Sequence, residues 1–147
     1  MTPHPERDPA GHSYRRQRPF QPLLTEENGS SHQGYLYGID LFNAGFYWEA
    51  HVEWEELWQA SSDESTRLFL QALVQIAAAM VKLREGSFSG VDKLAFRAGQ
   101  KLASLSEESP QRFGLRLAEL EATSTRLRGL ARARAGADER PTLVFHS

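Results

Sequence analysis

The stretch from Leu68 to Leu83 constrains the fold more than any other part of the chain. Leu68, Phe69, Leu70, Leu73, Val74, Ile76, Ala77, Met80, Val81 and Leu83 fall on almost every side of a helix. A helix that is apolar nearly all round has to be covered nearly all round. The sequence therefore predicts a central helix, roughly Glu64 to Glu85, with the other elements packed about it. Ser61 to Glu64 offers polar caps before it, and Gly86 is its natural stop. With 147 residues there is room for one such core and not comfortably for two.

The remaining elements read as helices too. Tyr35–Asn43 forms a short leading helix, ended at Asn43-Ala-Gly45, where Gly45 suits a left-handed cap. A second helix runs from about Phe46 to Gln59. A fourth starts near Ser89-Gly-Val-Asp92 and reaches about Ser104. Ser109-Pro110 opens a last helical stretch, divided at Gly114, whose apolar stripe of Leu117, Leu120, Leu127 and Leu130 continues to about Arg134. Thr142–Phe145 is a short apolar tail. Five of the seven prolines precede residue 25, which blocks helix there. Residues 1–33 are read as an extended or disordered N-terminal arm and 34–147 as one helical domain. The fold class is all-α: a compact bundle of four main helices plus the short leading one.

Composition removes several function classes. The chain has no cysteine, so it has no disulfide framework, thiol nucleophile or Cys-ligated metal. There is no G-x-S-x-G, P-loop or G-x-G-x-x-G, hence no nucleotide or flavin motif. No apolar run approaches the ~18 residues of a membrane span, and the N-terminus lacks a signal peptide's apolar core. A soluble, cytoplasmic protein is expected. The formal charge of -2 argues against nucleic acid as a partner. Arg126, Arg128, Arg132 and Arg134 make the last helix locally basic, a pattern usually belonging to a solvated face.

One constellation stands out. Placed on a wheel at about 100° per residue, His51 and Glu55 of the second helix fall inside an arc that also holds Tyr47, Trp48, Trp54 and Trp58. Trp54 is expected to face the third helix. Glu49, Glu53 and Glu56 fall opposite, as a solvated stripe. On the third helix Gln71 and Gln75 interrupt an apolar surface one turn apart, with Lys82 two turns on and Arg67 one turn before. Two readings follow. In one, His51, Glu55, Gln71, Gln75 and Lys82 converge on a small polar or anionic ligand, with His51 able to act as acid or base and Glu55 orienting it. In the other, the cluster only fixes helix register in a structural or interaction module whose protein partner is unknown. A divalent metal would have His51 and Glu55 as ligands. That is one short of the usual three unless His4 or His12 of the arm joins them.

Leu41-Phe-Asn-Ala-Gly-Phe-Tyr-Trp-Glu-Ala-His-Val-Glu-Trp-Glu-Glu-Leu-Trp58 resembles the signature of the bacterial and archaeal family called domain of unknown function 309. Phe69-Leu-Gln-Ala-Leu-Val-Gln-Ile-Ala-Ala-Ala79 is similar to its second block. Pro3–Ser13 and Val81–Gly86 look like one subgroup. Val52 stands where the family usually has Glu, and Ala72 where it has Gly. The resemblance implies a compact all-α fold and no activity. It also implies that His51, Glu55, Gln71 and Gln75 belong to the family's motifs.

Overall fold

The computed structural model describes residues 22–134 and 141–146. Its helices are α1 (Gln33–Asn43), α2 (Tyr47–Ala60), α3 (Glu64–Glu85), α4 (Phe88–Ser106) and α5 (Leu117–Ala133). Each packs chiefly on the next in the chain. Residues 1–21 of the expected arm, with His4 and His12, lie outside the described residues, as do 135–140.

α3 is the predicted central helix with the predicted bounds. Asp63 caps its first turn by accepting from the Thr66 N–H at 3.0 Å and the Thr66 hydroxyl at 2.8 Å. Gly86 ends it at φ 75°, with its N–H on the Leu83 carbonyl and that of Ser87 on Lys82. Phe69, Leu70, Leu73, Ile76 and Ala77 have no exposed surface. By length and hydropathy α3 could also cross a membrane, but 61% of that window is buried by the rest of the protein, as expected of a core helix.

α1 is set by His32. Its Nδ1 accepts the Tyr35 N–H at 3.2 Å, and its Nε2–H donates to the Pro22 carbonyl at 2.8 Å. The ring thus caps the helix and pins the incoming chain, and Leu24 is buried beside it. Asn43-Ala-Gly45 ends α1 as expected, with Gly45 at φ 90°.

The segment before α5 differs from expectation. Instead of helix, Gln111–Arg112 (β1) pairs antiparallel with Leu115–Arg116 (β2), and α5 starts only at Leu117. Phe113 and Gly114 occupy the turn at φ 49° and 81°. Two successive left-handed residues make a hairpin and cannot continue a right-handed helix. Phe113 is held there because it is buried, and its carbonyl accepts the Tyr35 hydroxyl at 2.6 Å. Its ring lies 4.9 Å from Phe69, so the hairpin closes the core over α1 and α3.

The C-terminal tail is an extended strap. Asn43 donates its Nδ2 to the Leu143 carbonyl at 2.9 Å and accepts the Leu143 N–H at 2.7 Å. Leu143 is buried, and the Phe145 ring sits where a Cβ on Gly114 would be.

Candidate functional site

α2 carries most of the singled-out residues, and its rotation is not the expected one. Glu49 and Glu53, expected on a solvated stripe, are completely buried; Glu56 beside them is half-buried. The inward arc runs from Val52 through Glu49 and Glu53 to Leu57, Ala50, Trp54 and Tyr47. The expectation fails for a physical reason. The aliphatic residues Val52, Ala50 and Leu57 mark the inside of α2 and bracket the two glutamates on the wheel. The aromatic arc was the weaker marker, because Trp and His tolerate a boundary position. Burying a carboxylate costs several kcal/mol unless it is compensated, and neither glutamate is left without an interaction.

His51 and Glu55 therefore sit outside the buried arc, both half-buried. The His51 imidazole stacks on Trp48, with centroids 5.2 Å apart and planes at 15°. Trp48 is 39% exposed, so this stack lies toward the outside of the bundle. At the start of α2 the buried Tyr47 ring is covered by the Arg84 guanidinium at 4.6 Å, which joins α2 to the end of α3.

Trp54 is buried as expected, but its indole lies against α1. The indole N–H donates to the Tyr35 carbonyl at 3.3 Å, and the ring is 6.0 Å from Phe42. A Cβ on Gly38 would meet its Nε1 at 2.3 Å, so only glycine lets the two helices come this close here.

The polar line of α3 divides. Arg67 donates to the Trp58 and Ser61 carbonyls at 3.0 and 2.8 Å, tying the α2–α3 turn, and its guanidinium covers Trp58 at 5.3 Å. Gln75 accepts from the Lys101 ammonium of α4 at 3.2 Å. Lys82 lies beside Gly90 at the start of α4 and forms an exposed ion pair with Glu85 at 3.7 Å. Gln75 and Lys82 thus face α4, on the other side of α3 from the expected convergence with α2. Gln71, one turn before Gln75 on the same line, is half-buried. Lys101 was not singled out from the sequence. Burial, and then the Arg97 charge, pushes its pKa below the usual lysine range.

Among the described residues, no three His, Asp or Glu side chains gather as a metal site. His51 and Glu55 alone fall short of a stable coordination sphere.

The family model described as Domain of unknown function (DUF309) matches residues 35–94. The similarity to this family covers 60 of the 147 residues. The matched segment contains α2 and α3 whole, α1 from Tyr35 onward and the first turns of α4. There is no significant match to a curated protein or to a solved structure.

Proposed function

We propose that this protein is a structural and interaction module, in which the polar residues of α2 and α3 fix how the helices pack. The observation that carries the reading is the Lys101–Gln75 hydrogen bond. The glutamine nearest the middle of α3 has its carbonyl oxygen engaged by a half-buried ammonium from the neighbouring helix. Arg67 has the same kind of role at the α2–α3 turn. These contacts satisfy polar groups inside the bundle and tie one helix to the next. The Trp48–His51 stack on the outside of α2 supplies an aromatic surface of the kind partners bury.

The competing reading is a small polar or anionic ligand held by His51, Glu55 and Gln71, with Gln75 and Lys82 given up to their α4 and Glu85 contacts. Native mass spectrometry and elemental analysis of the full chain as purified separate the two. A register role predicts no stoichiometric adduct. It also predicts that Gln75→Leu costs about 1–3 kcal/mol, because the Lys101 ammonium loses a half-buried acceptor. A bound metal or metabolite that disappears in His51→Ala and Glu55→Gln would overturn it.

A further inference from the structure

α4 and α5 run antiparallel. Asp92 of α4 pairs with Arg128 of α5 at 2.9 Å, and further along the buried Ser124 hydroxyl donates to the Ala95 carbonyl, with Gly99 close beside it. Between the helices lies an open groove of about 300 Å3, lined among others by Phe96, Gly99, Ala103, Glu121, Thr125 and Arg128. Its lining residues all belong to α4 and α5, so it does not rest on the packing role given to the polar residues of α2 and α3. The two ends of the groove differ. At one end Phe96 rises at 45% exposure, with the Arg128 guanidinium 4.8 Å from the centre of its ring. The bond to Asp92 uses the Arg128 Nε, one of the five N–H donors of a guanidinium. At the other end stand Ala103 and Glu121, about two turns from Phe96 and Arg128 along their helices. One end thus carries a bulky ring and a cation, the other a methyl group and a carboxylate.

This asymmetry is self-complementary. A two-fold axis lying across both helices at the level of Gly99 and Ser124 lays α4 antiparallel on α4 of a second copy, and α5 on α5. Gly99 and Ser124 are in contact, so the midpoint of Phe96 and Ala103 and the midpoint of Glu121 and Arg128 fall at that same level. Each Phe96 ring then sits over the Gly99–Ala103 end of the other groove, and each Arg128 faces a Glu121. A cavity of about 150 Å3 already holds a benzene ring, so a groove of about 300 Å3 takes the phenyl group. The exposed Lys93 comes level with the exposed Glu107 of the second copy. Arg97 lies beside Lys101, toward α3 and off this face. The outward line of α5, Ala118, Ala122, Thr125 and Gly129, is exposed and uncharged, so it lets α5 approach α5. Helices of 19 and 17 residues side by side present a face about 25 Å long and about 20 Å wide. That is about 500 Å2 on each copy and about 1,000 Å2 in all, the lower bound for a specific contact.

We propose that this chain forms a two-fold dimer through the α4–α5 face, each Phe96 seated in the groove of the other copy and each Arg128 paired with Glu121 across the interface. Sedimentation velocity of the full chain over about 1–200 μM tests it. A monomer–dimer equilibrium is expected, with a Kd of about 1–100 μM for a contact this small. Phe96→Ser should weaken it at least about tenfold, as removal of a central aromatic anchor does. Glu121→Arg alone and Arg128→Glu alone each set like charges opposite one another twice per dimer, and each should weaken it at least about tenfold. Mixed in equal amounts, the two variants restore both opposite-charge contacts, and the dimer should return to within about fivefold of the parent. A folding defect would not be rescued by mixing, and circular dichroism checks that each variant folds. The chain has no cysteine, so Thr125→Cys puts a single thiol per copy beside the axis. A short bismaleimide should link two such chains, whereas Arg116→Cys, outside the groove, should not link. A chain that stays monomeric at about 200 μM overturns the proposal and leaves the groove to a partner of another kind. A dimer untouched by Phe96→Ser, or charge variants that mixing does not restore, overturns it as well, because the contact then lies elsewhere.

Discussion

Substituting Gly38 by alanine puts a methyl carbon where the Trp54 indole already is. The ideal Cβ position lies 2.3 Å from Nε1, 2.7 Å from Cε2 and 2.8 Å from Cδ1. The indole has nowhere to retreat, because Trp54 is completely buried and packed against Phe42. It is also tied by its N–H to the Tyr35 carbonyl. Overpacking of a filled core costs about 1–3 kcal/mol. Moving the ring also breaks that hydrogen bond and leaves a buried donor, about 1–3 kcal/mol more. Against this, alanine is better than glycine in a helix interior by about 1 kcal/mol. The balance is a destabilisation of about 2–4 kcal/mol, enough to lower the melting temperature of a domain this size by roughly 10 °C. Urea unfolding followed by tryptophan fluorescence and by circular dichroism measures it. Trp54→Phe removes the atoms the methyl group strikes, so in that background Gly38→Ala should cost less than about 1 kcal/mol, a coupling of about 2 kcal/mol or more. If Gly38→Ala instead stabilises the protein by about 1 kcal/mol, helix propensity alone governs the site and the close α1–α2 approach is wrong. Additive effects in the double variant would refute the same contact.

Three further outcomes are expected. Trp54→Ala should cost about 3–5 kcal/mol in urea unfolding, as other large-to-small core changes do; a loss below about 1 kcal/mol would mean the indole is not a core element. Asn43→Ala removes both hydrogen bonds that hold the tail strap and should cost about 1–3 kcal/mol, with amide exchange at Leu143 accelerating before that of α3; unchanged exchange there would show that the tail is held by other contacts. The Asp63 carboxyl is held below its usual range by the Thr66 N–H, then by the Thr66 hydroxyl, with a smaller pull from Arg112. A depressed folded-state pKa contributes stability above the unfolded value of about 3.9 and loses it as the pH falls through the lower folded value. Asp63→Asn, which keeps a cap but no titration, should therefore lose less stability than the parent between about pH 5 and pH 2; identical acid unfolding profiles would remove Asp63 from the linkage.

Some elements were legible because one local signal was decisive. α3 has the bounds its sequence predicts, since an all-round apolar run lies between a capping Asp63 and Gly86. The leading helix ends as read because Gly45 takes the left-handed position of its cap. The hairpin was not legible, because its cause is not local. Phe113 adopts an unfavourable left-handed conformation only because Tyr35, 78 residues away, hydrogen-bonds its carbonyl, and Phe69 packs on its ring. How the singled-out polar residues are placed was not legible. His51 and Glu55 do share one side of α2, and Gln71 and Gln75 do share one line on α3. Which side meets which neighbour depends on helix rotation, and periodicity fixes that only to within an arc. On α2 a wide aromatic arc competed with three small aliphatic positions, and the aliphatic positions decided it. The acceptor role of Gln75 needed Lys101, whose place opposite it follows from the antiparallel pairing of α3 with α4.

The DUF309 segment, residues 35–94, does not complete its own core. Tyr35 at its start gives its hydroxyl to Phe113, and Asn43 at the end of α1 gives both ends of its amide to Leu143. Those partners belong to the hairpin and the tail, beyond residue 94. The face of α3 that carries Gln75 is met by Lys101 of α4, also beyond the segment. The motif residues thus sit on helices whose open sides are closed by later chain. A polar residue within the motif can be required for that closure without touching any ligand. Gln75 is the clearest case: it lies within the matched residues 35–94, and its partner Lys101 lies outside them. The groove between α4 and α5 differs in kind. Phe96, Arg97, Arg128 and Arg132 lie outside the matched segment. Packing explains why Ser124 and Gly99 line its floor, but it gives no reason for an exposed phenyl ring covered by a guanidinium. A core-building role accounts for the first set of polar residues and not for that exposed ring.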